Sequence, residues 1–203
     1  MRESKGEMMY TWTINGHTLE FIDESHTYLV DGEVVPSVTQ LLNRKFGHKY
    51  DNIPAETLKK AAEYGTMVHK VVEEYCTKKK ESDIRELHDF KFLKKYYGFT
   101  VYKNELPIIL EFGGKTYAGR LDLILKTNGK RYAVADIKTT ATLDKEYLGH
   151  QLNLYRMGVE QSYGLKIEHL YGIQLREGKR KFLEIPIKEE EWLLESLGLK
   201  ETE

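Results

Sequence analysis

The chain has 203 residues, of which 40% are hydrophobic and 31% are charged, and its formal net charge is −1. This size and composition predict one globular α/β domain with a sizeable core and a small appended lobe. The near-zero charge excludes a global basic field, so contacts with an anionic polymer would need local patches. The sequence contains no apolar run that could span a membrane and no visible signal peptide. We therefore expect a soluble cytoplasmic protein.

Cysteine usage excludes several kinds of site. Cys76 is the only cysteine, so the chain can form no internal disulfide and no cysteine-ligated zinc or iron–sulfur site. The P-loop pattern is also absent, and we expect no use of ATP. Any bound metal would therefore need histidine, carboxylate or backbone oxygen ligands.

The first part of the chain favours short strands followed by a helix. Residues 10–15 and 17–22 contain β-like runs, and residues 26–35 predict a hairpin with Asp31-Gly32 at its turn. Pro36-Ser37 then begins a helix that Ser37 can cap. The simplest interpretation is a hairpin and helix packed on the rest of the domain.

Two successive helices are predicted after Pro54. Gly65-Thr66 interrupts the pattern, and the second helix covers residues 67–78. Gly65, His69 and Glu73 lie four positions apart and therefore share one stripe of the helix surface. A glycine there lets another backbone or a phosphate approach closely. A lone helical histidine, by contrast, is normally structural.

A further helix and a long strand follow. Residues 82–97 show amphipathic spacing, and residues 101–112 predict a strand with Gly113-Gly114 at its end. Glu105 stands at the start of the apolar part of this strand. On its own it would be an ordinary charge on an edge strand.

The segment from 119 to 140 predicts a β-hairpin, because apolar and polar residues alternate on both sides of Asn128-Gly129. A two-residue loop would put Asp122 on the wrong face from Asp136. We prefer a three-residue loop, residues 127–129, closed by a glycine bulge, which sets Asp122 opposite Val134 and Arg120 opposite Asp136. That register also gives one common apolar face, made of Leu121, Leu123, Ala133, Ala135 and Ile137.

The polar face of this hairpin suits metal-dependent phosphodiester hydrolysis. Asp136 and Lys138 lie two apart and share a face, which Asp122 joins in the preferred register. Carboxylates are hard ligands suited to Mg²⁺ or Mn²⁺. A bound metal would activate water, and the lysine could orient that water or stabilise charge on phosphorus. The alternative is a surface hairpin with an Asp–Lys pair, since short motifs have many chance matches.

The C-terminal third predicts a helix, a hairpin and a closing helix. Asp144 can cap a helix over residues 145–162, which Gly164 would end. Gln151 and Tyr155 share a face of this helix. Residues 166–176 and 181–187 predict a hairpin around Glu177-Gly178, and leucines 193, 194 and 197 mark the last helix.

Five short motifs together resemble the PD-(D/E)XK nuclease superfamily and its RecB-like branch. In chain order they are GTMVH, a strand glutamate, GRLD, DIK and QLNLY. The run FIDESHTYLVDGEVVPSVTQLL is similar to the N-terminal segment of phage and prophage exonucleases and of mitochondrial genome-maintenance exonucleases. The resemblance covers residues 19–175 and says little about the physiological substrate.

The resemblance implies a role for each matching residue. His69, Asp122, Asp136 and the carbonyl of Ile137 would hold the metal, and Glu105 would bind a second metal or position the ligands. Lys138 would orient the attacking water. Residues that would contact or align the substrate strand, or support the site, are Arg120, Thr139, Gln151, Tyr155, Gly65 and Glu73. Lys94-Lys95, ahead of two tyrosines, could add phosphate and base contacts, but a solvated helix end is the simpler interpretation.

The implied fold is a central mixed sheet flanked by helices in a single domain, with residues 1–50 as an N-terminal addition and residues 51–203 as the nuclease core. The implied function is a DNA nuclease that uses Mg²⁺ or Mn²⁺, an exonuclease acting on single strands or ends. A structure- or sequence-specific endonuclease is one alternative. A non-catalytic nucleic-acid-binding module is another, although such a module has no use for a lysine beside two metal-binding carboxylates.

Overall fold

The computed structural model describes residues 8–127, 129 and 131–200, which form two β-sheets and five α-helices. The first sheet is a four-stranded antiparallel meander in chain order. Its strands are β1 (Met9–Ile14), β2 (His17–Ile22), β3 (Thr27–Val30) and β4 (Glu33–Val35). The predicted N-terminal strands and hairpin are therefore present as one small sheet.

The second sheet has five strands in the order β5 to β9: β5 (Thr100–Phe112), β6 (Lys115–Lys126), β7 (Tyr132–Lys138), β8 (Ile167–Arg176) and β9 (Lys179–Ile185). Neighbours are antiparallel except β7 and β8, which are parallel and joined through helix α4 (Lys145–Tyr163). The other helices are α1 (Val38–Phe46), α2 (Ala55–Lys78), α3 (Arg85–Tyr97) and α5 (Glu190–Ser196). The predicted mixed sheet flanked by helices is confirmed.

Helices cover both faces of the larger sheet. Buried side chains of α2 and α3 pack on one face, and those of α1, α4 and α5 pack on the other. The small sheet adds its own apolar cluster against Ile109 of β5 and Ala118 of β6. None of the helices among the described residues is both long and apolar enough to cross a membrane.

Local capping explains where two helices begin. The Ser37 side chain accepts a hydrogen bond from the Gln40 N–H, and the Gln40 side chain accepts one from the Ser37 N–H, which together form a capping box for α1. Asp144 accepts from the Tyr147 N–H at 3.1 Å and caps α4. Gly164 ends α4 with a φ of +61°, a conformation that glycine adopts at little cost.

Helix α2 differs from the sequence prediction. It continues for 24 residues without a break at Gly65. An interior glycine costs a helix about 1 kcal/mol, but burial of Val68 and Val72 against the sheet outweighs this cost. A Cβ on Gly65 would lie 3.1 Å from the Thr139 Oγ1. The glycine therefore permits a close approach between the helix and the loop after β7.

The register of the β6–β7 hairpin also differs from the prediction. Leu123 pairs with Ala135, and the Thr127 N–H donates to the Arg131 carbonyl at 2.9 Å. Thr127 thus extends the strand, as β-branched residues tend to do, and the loop begins one residue later than expected. Two residues of that loop, Asn128 and Lys130, lie outside the described residues.

This shift moves every cross-strand partner by two positions. The positions after the Leu123–Ala135 pair are Asp122 and Asp136, so the two carboxylates lie on adjacent strands at the same level. Arg120 is not opposite Asp136, because it pairs with Pro107 of β5. Leu121 also leaves the predicted apolar face and packs in the cluster beside α4, whereas Leu123 packs beneath α2 and α3.

Two glycines in α4 allow a test of how tightly this helix packs. A Cβ on Gly158 would overlap the Ile108 side chain of β5, whereas a Cβ on Gly149 would lie 3.9 Å from its nearest neighbour, Ile185. Both alanine variants gain helix propensity, but only Gly158→Ala overpacks the core. We expect Gly158→Ala to be less stable than Gly149→Ala by about 1–3 kcal/mol in chemical denaturation. Equal stabilities would contradict the close packing of α4 on β5.

Candidate metal centre

Three potential metal ligands from three separate elements converge at one end of the larger sheet. They are His69 of α2, Glu105 of β5 and Asp122 of β6, and each offers a ligand atom within 4.8 Å of the others. The His69 Nδ1 lies 3.4 Å from the Asp122 Oδ1. These three residues are called the ligand cluster below.

The backbone delivers Glu105 to this cluster in an unusual way. Asn104 pairs with Leu123 and Leu106 pairs with Leu121, so Glu105 lies across from Asp122. Its φ of +49° is in the left-handed region, which is rare for a residue with a side chain and costs about 1–2 kcal/mol. Backbone strain of this kind is concentrated at functional sites, where the surrounding structure holds it in place.

The three side chains influence one another electrostatically. Burial lowers the pKa of His69, but the Asp122 and Asp136 carboxylates outweigh it and raise that pKa to about 9. Burial, with the Asp122 charge, raises the pKa of Glu105 to about 7, although the Arg120 guanidinium opposes this. Burial also disfavours the ionised form of Asp122, but His69 and Lys138 hold its pKa below the usual value. The cluster therefore concentrates carboxylate charge that a cation would stabilise.

A second group of polar side chains adjoins the ligand cluster. The Lys138 Nζ lies 2.7 Å from the Asp136 Oδ2 and donates a hydrogen bond to the Gln151 Oε1 at 2.8 Å. Asp136 is buried, and this burial raises its pKa to about 6 even though Lys138 acts in the opposite direction. Burial lowers the pKa of Lys138, but Asp136 and Asp122 raise it overall. The lysine is thus held as a cation by its neighbours.

Asp122 joins the two groups. Its Oδ2 accepts a hydrogen bond from the Ile137 N–H at 2.7 Å, while its Oδ1 faces His69. The structure therefore places Asp136 beside Lys138 rather than within the ligand cluster, and Glu105 takes the third place in that cluster. Ligand roles for Asp136 and for the Ile137 carbonyl stay predictions.

Arg120 has partners that the sequence did not indicate. Its Nε lies 2.8 Å from the Glu105 Oε2, and its guanidinium lies 5.7 Å from the centre of the Phe21 ring. The arginine links the ligand cluster to the small N-terminal sheet. Only the correct β5–β6 register shows this arrangement, and the hydrophobic pattern of β5 contains no signal for it.

The ligand cluster opens into a cleft of about 630 Å³. The small sheet forms one wall and α2 the other, and Tyr155 of α4 lies at the base. The lining residues include Phe21, His26, Tyr28, Gly65, Thr66, His69, Lys70, Glu73, Glu105, Gly119, Arg120, Asp122 and Tyr155. Sequence reasoning assigned no function to the N-terminal strands, and nothing local in them indicates that they would border the site.

Tyr155 and Gly119 meet closely at this base. A Cβ on Gly119 would lie 3.1 Å from the Tyr155 ring, so glycine is required for the ring to pack there. Burial, followed by the nearby carboxylates of Asp136 and Asp122, raises the pKa of Tyr155 well above its usual value. The phenol therefore stays neutral and keeps its proton for donation.

Two residues of β8 hold the loop that follows Lys138. The Arg176 Nη1 donates to the Thr139 carbonyl at 3.0 Å, and the Gln174 Nε2 donates to the Thr140 carbonyl at 2.7 Å. Gln174 pairs with Lys138 across the parallel strands. Sequence reasoning missed both residues, because their position beside Lys138 depends on the β7–β8 register.

No protein-family model and no curated protein matches the chain. Among solved structures, SSO0001 shares 18% identity with a TM-score of 0.46, and the match covers 81% of this chain and 72% of that one. A candidate exonuclease from Eubacterium rectale shares 13% identity with a TM-score of 0.44, covering 81% of this chain and 76% of that one. At these TM-scores neither likeness bears on the chemistry of the site.

Proposed function

We propose that the chain is a metal-dependent nuclease that hydrolyses phosphodiester bonds, and specifically an exonuclease acting on single-stranded DNA or on DNA ends. The observation that carries this proposal is the ligand cluster of His69, Glu105 and Asp122 beside the Asp136–Lys138–Gln151 group. One group can hold a cation, and the other holds a charged lysine next to it.

The ligand cluster fits a divalent cation such as Mg²⁺ or Mn²⁺. Two carboxylates are hard oxygen ligands, and one imidazole is also accepted by Mn²⁺. The raised pKa of Glu105 and the contact between His69 and Asp122 indicate that these groups crowd one another. When bound, such an ion lowers the pKa of a water ligand and neutralises phosphate charge.

The remaining residues have roles that their contacts support. Lys138, held by Asp136 and Gln151, can donate to the attacking water or to the charge that develops on phosphorus. Arg120 borders the cleft and can pair with a phosphate, since its side chain is 37% exposed. Tyr155, kept neutral by burial, can donate a hydrogen bond at the base of the cleft.

The dimensions of the cleft favour single strands or frayed ends over intact duplex. A volume of about 630 Å³ is that of a pocket for a drug-sized ligand, which corresponds to a nucleotide or two. The Asp122 side chain is only 14% exposed and that of His69 only 30%. A phosphate within a continuous duplex would have to reach these recessed groups between two walls, whereas an unpaired end can enter.

Cleavage of three DNA substrates tests the proposal. End-labelled linear single strands, linear duplex and circular single strands would be incubated with Mg²⁺ or Mn²⁺, and a matched series would contain EDTA. We expect release of short products from linear single strands, little loss of circles, and no cleavage in EDTA. Cutting of circles would indicate an endonuclease. Binding of DNA without cleavage in either metal would indicate a non-catalytic module.

A further inference from the structure

Helix α3 and strand β9 carry an exposed group of aromatic and basic side chains away from the cleft. It consists of Phe92, Lys95, Tyr96, Tyr97 and Arg180, and it is called the α3–β9 surface below. Tyr96 is 71% exposed, Tyr97 45% and Phe92 44%. Three large rings exposed together on the last two turns of one helix point to a binding surface, because large apolar groups scattered singly are the usual case.

The rings of this surface form an ordered series rather than a loose cluster. Phe92 and Tyr96 are stacked with centres 5.7 Å apart and planes at 12°. Tyr97 stacks at 4.6 Å on Phe182 of β9, which is itself packed against the core. The exposed rings are thus fixed in place by rings beneath them, and they present flat faces on a rigid base.

Cationic side chains accompany these rings. The Arg180 guanidinium lies 3.7 Å from the centre of the Phe92 ring and is oriented by an ion pair with Asp89. Lys95 follows Phe92 by three positions and so lies on the same side of the helix. Within the described residues, neither Lys95 nor Lys181 of β9 forms an ion pair. Lys94 belongs elsewhere, because its amine lies over Tyr75.

The sheet register connects this surface to the candidate site. Lys138 pairs with Gln174, and Gln174 pairs with Lys181. Lys181 is therefore two strands away from Lys138, a distance of about 10 Å at the usual spacing of strands. Arg180 is the next residue along β9. A strand that lies at Lys138 could reach the α3–β9 surface by crossing β8 and β9.

We propose that the α3–β9 surface binds the single-stranded part of a nucleic acid whose end lies in the cleft. Bases stack on Phe92 and Tyr96, and Lys95, Arg180 and Lys181 contact phosphates on either side. This inference rests on the proposed nuclease function and adds to it a second contact region, outside the cleft, that recognises unpaired bases.

Edge protection and self-association would each leave part of this surface without a role. Cationic residues on an edge strand can simply prevent pairing with other chains, but this does not require exposed stacked rings on the neighbouring helix. A second copy of the chain could cover the rings. A symmetric contact of that kind would bring the same cations together, which is unfavourable without anions between them.

Binding of oligothymidines tests the inference without any cleavage step. Lys138→Ala would serve as the parent, and its affinity would be measured by fluorescence anisotropy for lengths of about 4 and about 16 nucleotides, the range of single-strand site sizes. We expect Tyr96→Ala to weaken binding of the long oligomer about tenfold and to leave the short one unchanged. Tyr96→Trp should retain the affinity for the long oligomer, because it keeps an aromatic face.

Two controls separate stacking from other effects. Tyr102→Ala removes an equally accessible tyrosine, 48% exposed, from β5 at the opposite edge of the sheet, and should bind both oligomers like the parent. A long abasic oligomer should bind the parent only as weakly as the long oligothymidine binds Tyr96→Ala. Equal binding of the abasic and normal oligomers would overturn the stacking role.

The remaining outcomes also decide the matter. Unchanged binding of the long oligomer by Tyr96→Ala would overturn the inference, and a simultaneous loss of a dimer in sedimentation would assign the rings to a second copy. A failure of the wild-type protein to cleave DNA in Mg²⁺ would count against the proposed function alone, because the binding experiment does not depend on cleavage.

Discussion

Asp122→Asn is expected to abolish metal binding and cleavage together. Asp122 contributes one oxygen to the ligand cluster and accepts the Ile137 N–H with the other. Asparagine keeps an acceptor for that N–H, so the sheet should survive, but it removes the charge that a divalent cation requires. Loss of several kcal/mol of charge stabilisation corresponds to roughly 10³-fold in rate.

Calorimetry with Mn²⁺ and single-turnover cleavage would measure the two effects side by side. Glu63→Gln is a suitable control, because it removes one carboxylate charge from an exposed position of the same helix that carries His69. That variant should bind Mn²⁺ and cleave like the wild type. If Asp122→Asn bound Mn²⁺ with unchanged affinity, the ligand cluster would not be the metal site.

Lys138→Met is expected to retain metal binding and lose most of the rate. The lysine contacts Asp136 and Gln151 rather than the ligand cluster, and it acts on the reacting groups. Removing one preorganised donor to a developing charge typically costs about 10²–10³-fold in kcat. Because Lys138 normally lowers the pKa of buried Asp136, its loss should raise that pKa further, and Asp136 can then be neutral in the folded protein.

The same two measurements test this variant, with Lys60→Met as the control for loss of an exposed lysine on α2. We expect Mn²⁺ affinity close to wild type for both variants and a rate defect for Lys138→Met only. A near wild-type rate would remove Lys138 from the mechanism. A loss of Mn²⁺ binding as large as that of Asp122→Asn would mean that the lysine acts through the ligand cluster instead.

The sequence predicted most elements of the fold because their signals are local. Ser37 and Asp144 form the caps that their residue types favour, and Gly164 ends α4 as expected. The predicted break at Gly65 was wrong, because that glycine answers to a neighbour seventy-four residues away, Thr139. Helix propensity contains no record of such a contact.

The candidate site could be predicted only in part, for the same reason. Asp122, Asp136 and Lys138 lie on one hairpin, so their proximity follows from alternation even though the predicted register was two residues off. Glu105 and Arg120 meet through the β5–β6 pairing and a left-handed backbone at Glu105. The wall made by Phe21, His26 and Tyr28 depends on how the small sheet packs, which no short pattern specifies.

The length of α2 has a consequence for how the ligand cluster is held together. Of its 24 residues only Val68 and Val72 are fully buried, so this helix is attached to the sheet by a small apolar contact. Such elements open locally at a lower free energy than the sheet beneath them. His69 would leave with the helix, while Glu105 and Asp122 would stay with the strands. A cation bound across all three favours the closed arrangement by mass action, so metal binding should protect the amides of α2 from hydrogen exchange more than those of β6 and β7.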